Sequence, residues 1–138
     1  MSLRLGKRMD EKEAFQLNAL QLAYMGDAVW ETIIRYDLVL QKLKVHHLHQ
    51  ESVRRVNAGA QAEILTWIAD SLSEREAEIV RRGRNAHPKH TVPKNQQAED
   101  YAVATGLEAL FGYLYLSGQD ERIESIIQRI KEQEREHG

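Results

Sequence analysis

Two short stretches carry most of the information about how this chain folds: AYMGDAVWE at positions 23–31 and GLEALFG at positions 106–112. Each places one carboxylate, Asp27 or Glu108, inside an otherwise apolar helical pattern. Burying an ionised carboxylate is costly unless the group is paired or binds a metal. Two such groups indicate a shared cation. The structural alternative is that each acid caps a helix or pairs with an arginine.

Helical geometry supports the shared cation. At about 100° per residue, Asp27 falls on one apolar stripe with Leu20 and Tyr24, and Glu108 falls beside Phe111 in the same way. If two central helices cross near these acids, both carboxylates meet. Mg²⁺ prefers oxygen ligands, keeps several waters and needs only one or two protein carboxylates. The pattern therefore predicts that Asp27 and Glu108 hold Mg²⁺, with Mn²⁺ as a substitute.

The composition is that of one globular domain. The chain has 138 residues, of which 42% are hydrophobic and 29% charged, and this suits a single core spanning residues 1–138. We expect flexible ends at 1–9 and 132–138. No apolar run approaches the ~18 residues of a membrane span. The N-terminus lacks a secretory core and there are no cysteines, so the expected location is the cytoplasm, away from membranes.

Periodicity predicts an all-α fold, because no segment shows the alternation of a strand. Asn57 marks a break between two helices, and Ser73 with Glu76 forms a capping-box pattern. Gly26 suggests a junction or a close contact, while Gly83 and Gly118 suggest helix ends. The predicted helices span about 10–21, 26–43, 47–57, 58–70, 74–83, 95–116 and 120–134.

One stretch of the chain is basic. Between positions 79 and 98 there is no acid, although the net charge of the whole chain is −2. A local basic stretch on a slightly acidic protein indicates one cationic face, and a solvated loop is the alternative. The candidates for binding a polyanion are Arg81, Arg82, Arg84, Asn85, Lys89, His90 and Lys94.

These motifs resemble those of the ribonuclease III family. Positions 26–29, GDAV, are similar to the family signature LEFLGDAVL, and positions 108–116, EALFGYLYL, to its second segment DxFEALIGAIYLD. The likeness is greatest to Mini-III, the short branch without a double-stranded RNA-binding domain. It includes LAYMGDA at 22–28, QAEIL at 61–65, RRGRNA at 81–86 and PKN at 93–95. The ordered set runs from about Leu17 to Leu116.

The chain departs from the standard family pattern at two acids. Ribonuclease III has a glutamate where this chain has Ala23 and an aspartate where it has Thr105. Mini-III is similar in lacking both acids, so only Asp27 and Glu108 carry over as catalytic and metal-binding residues. This implies a metal held by fewer protein ligands and more waters, one of which Thr105 is placed to bind. The roles of Glu31 and Asp100 stay open.

The resemblance implies a helical bundle around two central helices, acting as a homodimer. Tyr24, Met25 and Trp30 are candidates for the two-fold contact. It also implies a Mg²⁺-dependent endoribonuclease that cuts double-stranded RNA, leaving 5′-phosphate and 3′-hydroxyl ends. The implied substrate is a stem in precursor 23S ribosomal RNA, with a ribosomal protein on that RNA as a further candidate partner.

Two other functions compete with cleavage. With two of the four family acids missing, the domain could bind structured RNA without cutting it. An all-α DNA-binding regulator would need a basic recognition helix, but Pro88 and Pro93 interrupt the basic stretch. We therefore rank the DNA-binding function last.

Overall fold

Residues 5–86 and 96–137 are described by a computed structural model, and within these ranges all regular structure is helical. The all-α prediction is confirmed. A short 3₁₀ turn, Ala69–Ser71, follows the fourth helix. The helices are α1 (Glu11–Phe15), α2 (Ala19–Leu40), α3 (Val45–Val56), α4 (Ala58–Ile68), α5 (Glu74–Asn85), α6 (Gln96–Leu116) and α7 (Asp120–His137).

Helix α6 lies at the centre of the domain and packs against α1, α2, α4, α5 and α7. Every residue from Ala104 to Leu114 is buried except Glu108, which is half-buried. A helix that is apolar nearly all round needs neighbours on all sides. The second long helix, α2, crosses it, and together these two helices supply more than half of the buried hydrophobic core. This is the predicted bundle around two central helices.

The N-terminal half of α2 differs from the prediction, which divided it between two helices. The break lies earlier, at Asn18. Its side-chain oxygen accepts from the Leu20 N–H at 2.7 Å, and the Gln21 side chain accepts from the Asn18 N–H at 3.1 Å. This capping box starts α2 at Ala19, and the helix then passes through Gly26 without interruption.

Helix α5 begins as predicted. Ser73 caps the Glu76 N–H at 3.1 Å, and the Glu76 carboxylate accepts from the Ser73 N–H at 2.9 Å. The predicted end at Gly83 is wrong, because the helix continues to Asn85. Gly83 instead packs against α6, where a Cβ would lie 2.8 Å from the Gly106 Cα.

Both expected flexible ends make tertiary contacts where the structure describes them. The Met9 N–H donates to the Leu116 carbonyl at 2.8 Å. Helix α7 continues to His137, whose ring stacks on Trp67 with centroids 5.6 Å apart. The predicted break before α7 is confirmed at Gly118, which has a φ of +70°. Among the described helices, none has the length and apolar character to cross a membrane.

Candidate active site

The candidate site lies where α2 crosses α6. A Cβ on Gly26 would come within 1.6 Å of the Glu108 carbonyl oxygen, and a Cβ on Gly112 within 1.9 Å of the Leu22 carbonyl oxygen. Only residues without a Cβ permit such close backbone contact. Because Asp27 follows Gly26, the crossing brings the Asp27 side chain close enough to Glu108 for the two carboxylates to interact electrostatically.

The two acids differ in burial. Glu108 is half-buried, but Asp27 is exposed, so the prediction of two carboxylates inside the core is wrong for Asp27. Leu20 and Tyr24, which share its stripe, are 49% and 86% exposed. Since α2 is apolar on more than one side, its periodicity did not distinguish the core face from the exposed apolar face. Asp27 lies at the margin between them, where a side chain can reach both Glu108 and solvent.

Burial and the neighbouring Asp27 charge raise the pKa of Glu108 to about 7, while a hydrogen bond from Gln61 opposes that rise. Burial is the largest of these effects. A carboxylate that is crowded by another negative charge gains from a proton or from a cation. The site therefore has the electrostatics of a cation-binding pair.

We expect Glu108→Gln to stabilise the metal-free protein at high pH. The raised pKa means that the folded chain holds a proton that the unfolded chain releases near 4.5. This contribution is present below pH 4.5 and is lost as the pH rises through 7. At pH 8 the variant should exceed wild type by about 1–2 kcal/mol in free energy of unfolding, allowing for solvent screening. At pH 5 the difference should be small.

Urea denaturation in a chelator at both pH values checks this expectation. The control is Glu31→Gln, since Glu31 pairs with the exposed Arg35 at 2.9 Å, so that its charge is balanced by a cation. Equal stabilities of wild type and Glu108→Gln at pH 8 would contradict the crowding of the two acids.

The remaining acids considered for the site have other contacts. Glu31 accepts from Arg35, and Asp100 accepts from the Gln96 side-chain amide at 2.8 Å. Across residues 5–86 and 96–137, no group of three or more histidine, cysteine, aspartate or glutamate side chains is arranged to hold a metal. A metal at this site would thus have Asp27 and Glu108 as its carboxylate ligands.

That pair fits Mg²⁺, which is commonly held by one or two carboxylates and retains several waters. Thr105 is buried, and its hydroxyl donates to the Tyr101 carbonyl at 2.9 Å. This bond occupies the hydroxyl proton, so the predicted contact of Thr105 with a water would use its oxygen as the acceptor.

Sequence reasoning missed Gln61, which lies beside Glu108. It is only 3% exposed, and its side-chain nitrogen lies 3.4 Å from the Glu108 Oε2. The available signal was a polar amide on the apolar side of α4, close to Ile64, Leu65 and Ile68 in the chain. Such a residue is rarely buried without a specific partner.

The arginines of the basic stretch are engaged by protein groups. Arg81 and Arg84 form exposed ion pairs with Glu78 and Glu99, respectively. Exposed pairs of this kind contribute little and exchange readily, so both arginines stay available to a polyanion. Asn85 is exposed at the end of α5.

Arg82 is placed differently from its neighbours. Its guanidinium donates to the Phe15 carbonyl at 2.6 Å and lies 4.6 Å from the Phe15 ring centroid. This contact fastens α1 to α5 and gives Arg82 a structural role. Lys89, His90 and Lys94 lie outside the residues that the structure describes.

Comparison with known proteins identifies the family. The model of the Ribonuclease III domain matches residues 20–119. Mini-ribonuclease 3 from Thermoanaerobacter sp. (strain X514) is 46% identical over 121 residues, covering 87% of this chain and 84% of that protein. Mini-ribonuclease 3 from Synechococcus sp. is 42% identical over 128 residues, covering 93% and 91%.

A solved structure agrees with the sequence matches. The crystal structure of a protein from Fusobacterium nucleatum superposes with a TM-score of 0.77 at 30% identity, covering 91% of this chain and 99% of that one. The chain belongs to the ribonuclease III family, in which it is an endoribonuclease of the Mini-ribonuclease 3 group.

Proposed function

We propose that this enzyme hydrolyses double-stranded RNA with Mg²⁺ held by Asp27 and Glu108, leaving 5′-phosphate and 3′-hydroxyl ends. The observation that carries the proposal is the close approach of Gly26 to the Glu108 backbone, which brings these two carboxylates near each other at the crossing of α2 and α6. A bound divalent ion would polarise the phosphate and lower the pKa of the attacking water. Mn²⁺ accepts similar oxygen ligands and is expected to substitute.

Half-burial of Glu108 and exposure of Asp27 suit a substrate as large as an RNA duplex. The pair lies at the surface, where a phosphate can approach, while Glu108 is anchored in the central helix. A fully enclosed pair would admit a small molecule but not a duplex backbone. The exposed side of the crossing is therefore the expected place for the scissile phosphate.

The end of α5 and the residues after it form the expected RNA contact. Duplex RNA is recognised mainly through its shape, phosphates and 2′-hydroxyls. Arg81, Arg84 and Asn85 are exposed and able to make such contacts. Lys89 and Lys94 follow in the chain and add positive charge, and His90 lies directly after Lys89. We propose a stem of precursor 23S ribosomal RNA as the substrate, cut in the cytoplasm, with a ribosomal protein on that RNA as a candidate partner.

The direct test is incubation of the protein with a labelled RNA duplex in Mg²⁺ and, separately, in a chelator. We expect cleavage only with the metal, and a 5′-phosphate on the product that a phosphatase removes. A matched DNA duplex should stay intact. RNA binding with no product at any Mg²⁺ or Mn²⁺ concentration would leave only the non-cleaving RNA-binding module.

We propose that two copies associate through the exposed apolar face of α2. Leu20 and Tyr24 are one turn apart and lie on the same face as Asp27. An exposed tyrosine next to an exposed leucine is typical of an interaction surface. Trp30, also predicted for this contact, is 2% exposed and packs on Phe111 in the core, so that prediction is wrong. Met25 is partly buried against the core.

Tyr24→Lys should convert the dimer into a monomer, because a two-fold contact would place two ammonium groups in an apolar interface. Sedimentation of wild type should give twice the 15.9 kDa chain mass, and the variant should give that mass once. Tyr36→Lys is the matched control, since Tyr36 is an exposed tyrosine on another side of α2. A monomeric wild type, or equal effects of both variants, would contradict this interface.

A further inference from the structure

The break between α3 and α4 leaves backbone carbonyls that need partners. Asn57 adopts an extended conformation with a ψ of 161°, which ends α3 after Val56. The last carbonyls of a helix have no partner inside it. The Asn57 side-chain nitrogen donates to the Arg54 carbonyl at 2.7 Å. The Val56 carbonyl accepts from the Gln61 side-chain nitrogen at 2.8 Å.

The bond to Val56 fixes the orientation of the Gln61 amide. A carbonyl only accepts hydrogen bonds, so the nitrogen of the amide, and not its oxygen, must face Val56. That nitrogen has a second proton, and the Glu108 Oε2 lies 3.4 Å from it. A backbone carbonyl of α3 thus determines which end of the amide faces the Glu108 carboxylate.

The oxygen of the Gln61 side-chain amide supports a role beyond folding. The Gln61 Oε1 is buried and has no protein donor among the described residues. A buried acceptor without a partner costs stability, and an apolar residue of equal length would avoid that cost. Residues that break packing rules in this way are found mainly at functional sites.

We infer that Gln61 is a positioning residue, which holds the Glu108 carboxylate in the orientation needed to bind a divalent cation together with Asp27. The inference rests on the proposed function of that pair. Groups that hydrogen-bond a ligating carboxylate restrict its rotation before the ion arrives, and losing them typically weakens metal binding or activity about 10–100-fold. Gln61 does this from α4, while both proposed ligands lie on α2 and α6.

The test is Gln61→Met, which keeps the length of the side chain and removes its hydrogen bonds. Calorimetric titration of the metal-free protein with Mn²⁺ alone should show binding about 10–100-fold weaker than in wild type. The Mn²⁺ concentration for half-maximal cleavage should rise by a similar factor. RNA affinity measured in a chelator should stay within about twofold. Gln61→Leu provides a second measurement of the same loss if the methionine variant does not fold.

The matched control is Asn57→Ala. It removes hydrogen bonds to α3 carbonyls at the same helix break but none to Glu108. Its thermal stability should fall while its Mn²⁺ affinity stays at the wild-type value. An equal loss of Mn²⁺ affinity in Asn57→Ala would reduce Gln61 to a structural residue and overturn the inference.

The remaining outcomes separate this inference from the proposed function. If wild type binds Mn²⁺ and cleaves RNA but both Gln61 variants bind Mn²⁺ within twofold of it, the positioning role alone is refuted. If wild type binds no Mn²⁺, the proposed metal pair fails and the inference fails with it.

Discussion

Asp27→Asn is expected to reduce RNA cleavage on the order of a thousandfold or more. The substitution is isosteric and removes the charge that would hold the metal against the phosphate. Loss of about 4 kcal/mol of transition-state stabilisation corresponds to this factor. The fold should survive, because Asp27 is exposed and an amide in its place relieves the crowding of Glu108. Single-turnover cleavage of an RNA duplex at saturating Mg²⁺ measures the effect.

Glu31→Gln is the control for charge loss at this end of the site. Glu31 follows Asp27 by one helical turn but pairs with Arg35 at 2.9 Å. Its variant should cleave within about threefold of wild type, since exposed ion pairs contribute little. Cleavage by Asp27→Asn within tenfold of wild type would refute the assignment of Asp27 as a metal ligand.

Gly26→Ala is expected to destabilise the protein by at least about 3 kcal/mol, or to prevent folding. In a free helix the same change would stabilise by up to about 1 kcal/mol. Here a Cβ would lie 1.6 Å from the Glu108 carbonyl oxygen, a backbone atom that cannot turn away. The α2 and α6 backbones must separate, and the Asp27 and Glu108 side chains separate with them. Any Gly26→Ala protein that still folds should therefore cleave RNA more slowly than wild type.

Gly59→Ala provides the contrasting control for urea denaturation. Its Cβ would lie 3.4 Å from the Asn57 Oδ1 and 3.7 Å from the Asp100 Oδ2, which are ordinary contacts. We expect stability that is unchanged or up to about 1 kcal/mol higher. Similar destabilisation by the two substitutions would show that Gly26 has no special role at the helix crossing.

Much of the fold follows from local signals. The predicted break between α3 and α4 is confirmed at Asn57, whose side chain bonds both the preceding carbonyls and the Ala60 N–H. Ser73 starts α5 for the same kind of reason. In each contact the two partners are only a few residues apart in the chain, so a local sequence pattern is enough to predict it.

The glycines show where local rules fail. Gly26 was predicted as a junction or a close contact and Gly83 as a helix end, since glycine weakens an isolated helix. Both lie inside continuous helices and permit contact with α6. Helix propensity describes one helix in isolation. It takes no account of a second helix, distant in sequence, that packs against the glycine.

Local sequence patterns also failed to predict which side chains contact each other between helices. Arg82 is part of a basic run, yet it stacks on Phe15 of α1. Gln61 follows the α3–α4 break, yet it contacts Glu108 of α6. In both cases the partner comes from another helix, and the contact exists only once the helices have packed.

From the order of its residues alone, the chain already specifies an all-helical domain with Asp27 and Glu108 as its distinctive acids. Periodicity and caps suffice for that, because they depend on near neighbours. Packing alone establishes that Asp27 lies at the surface, that Glu108 is half-buried, and that the Gln61 amide lies beside Glu108. These facts depend on how closely α2 and α6 approach, and that distance is determined by the absence of Cβ atoms on both backbones at the crossing.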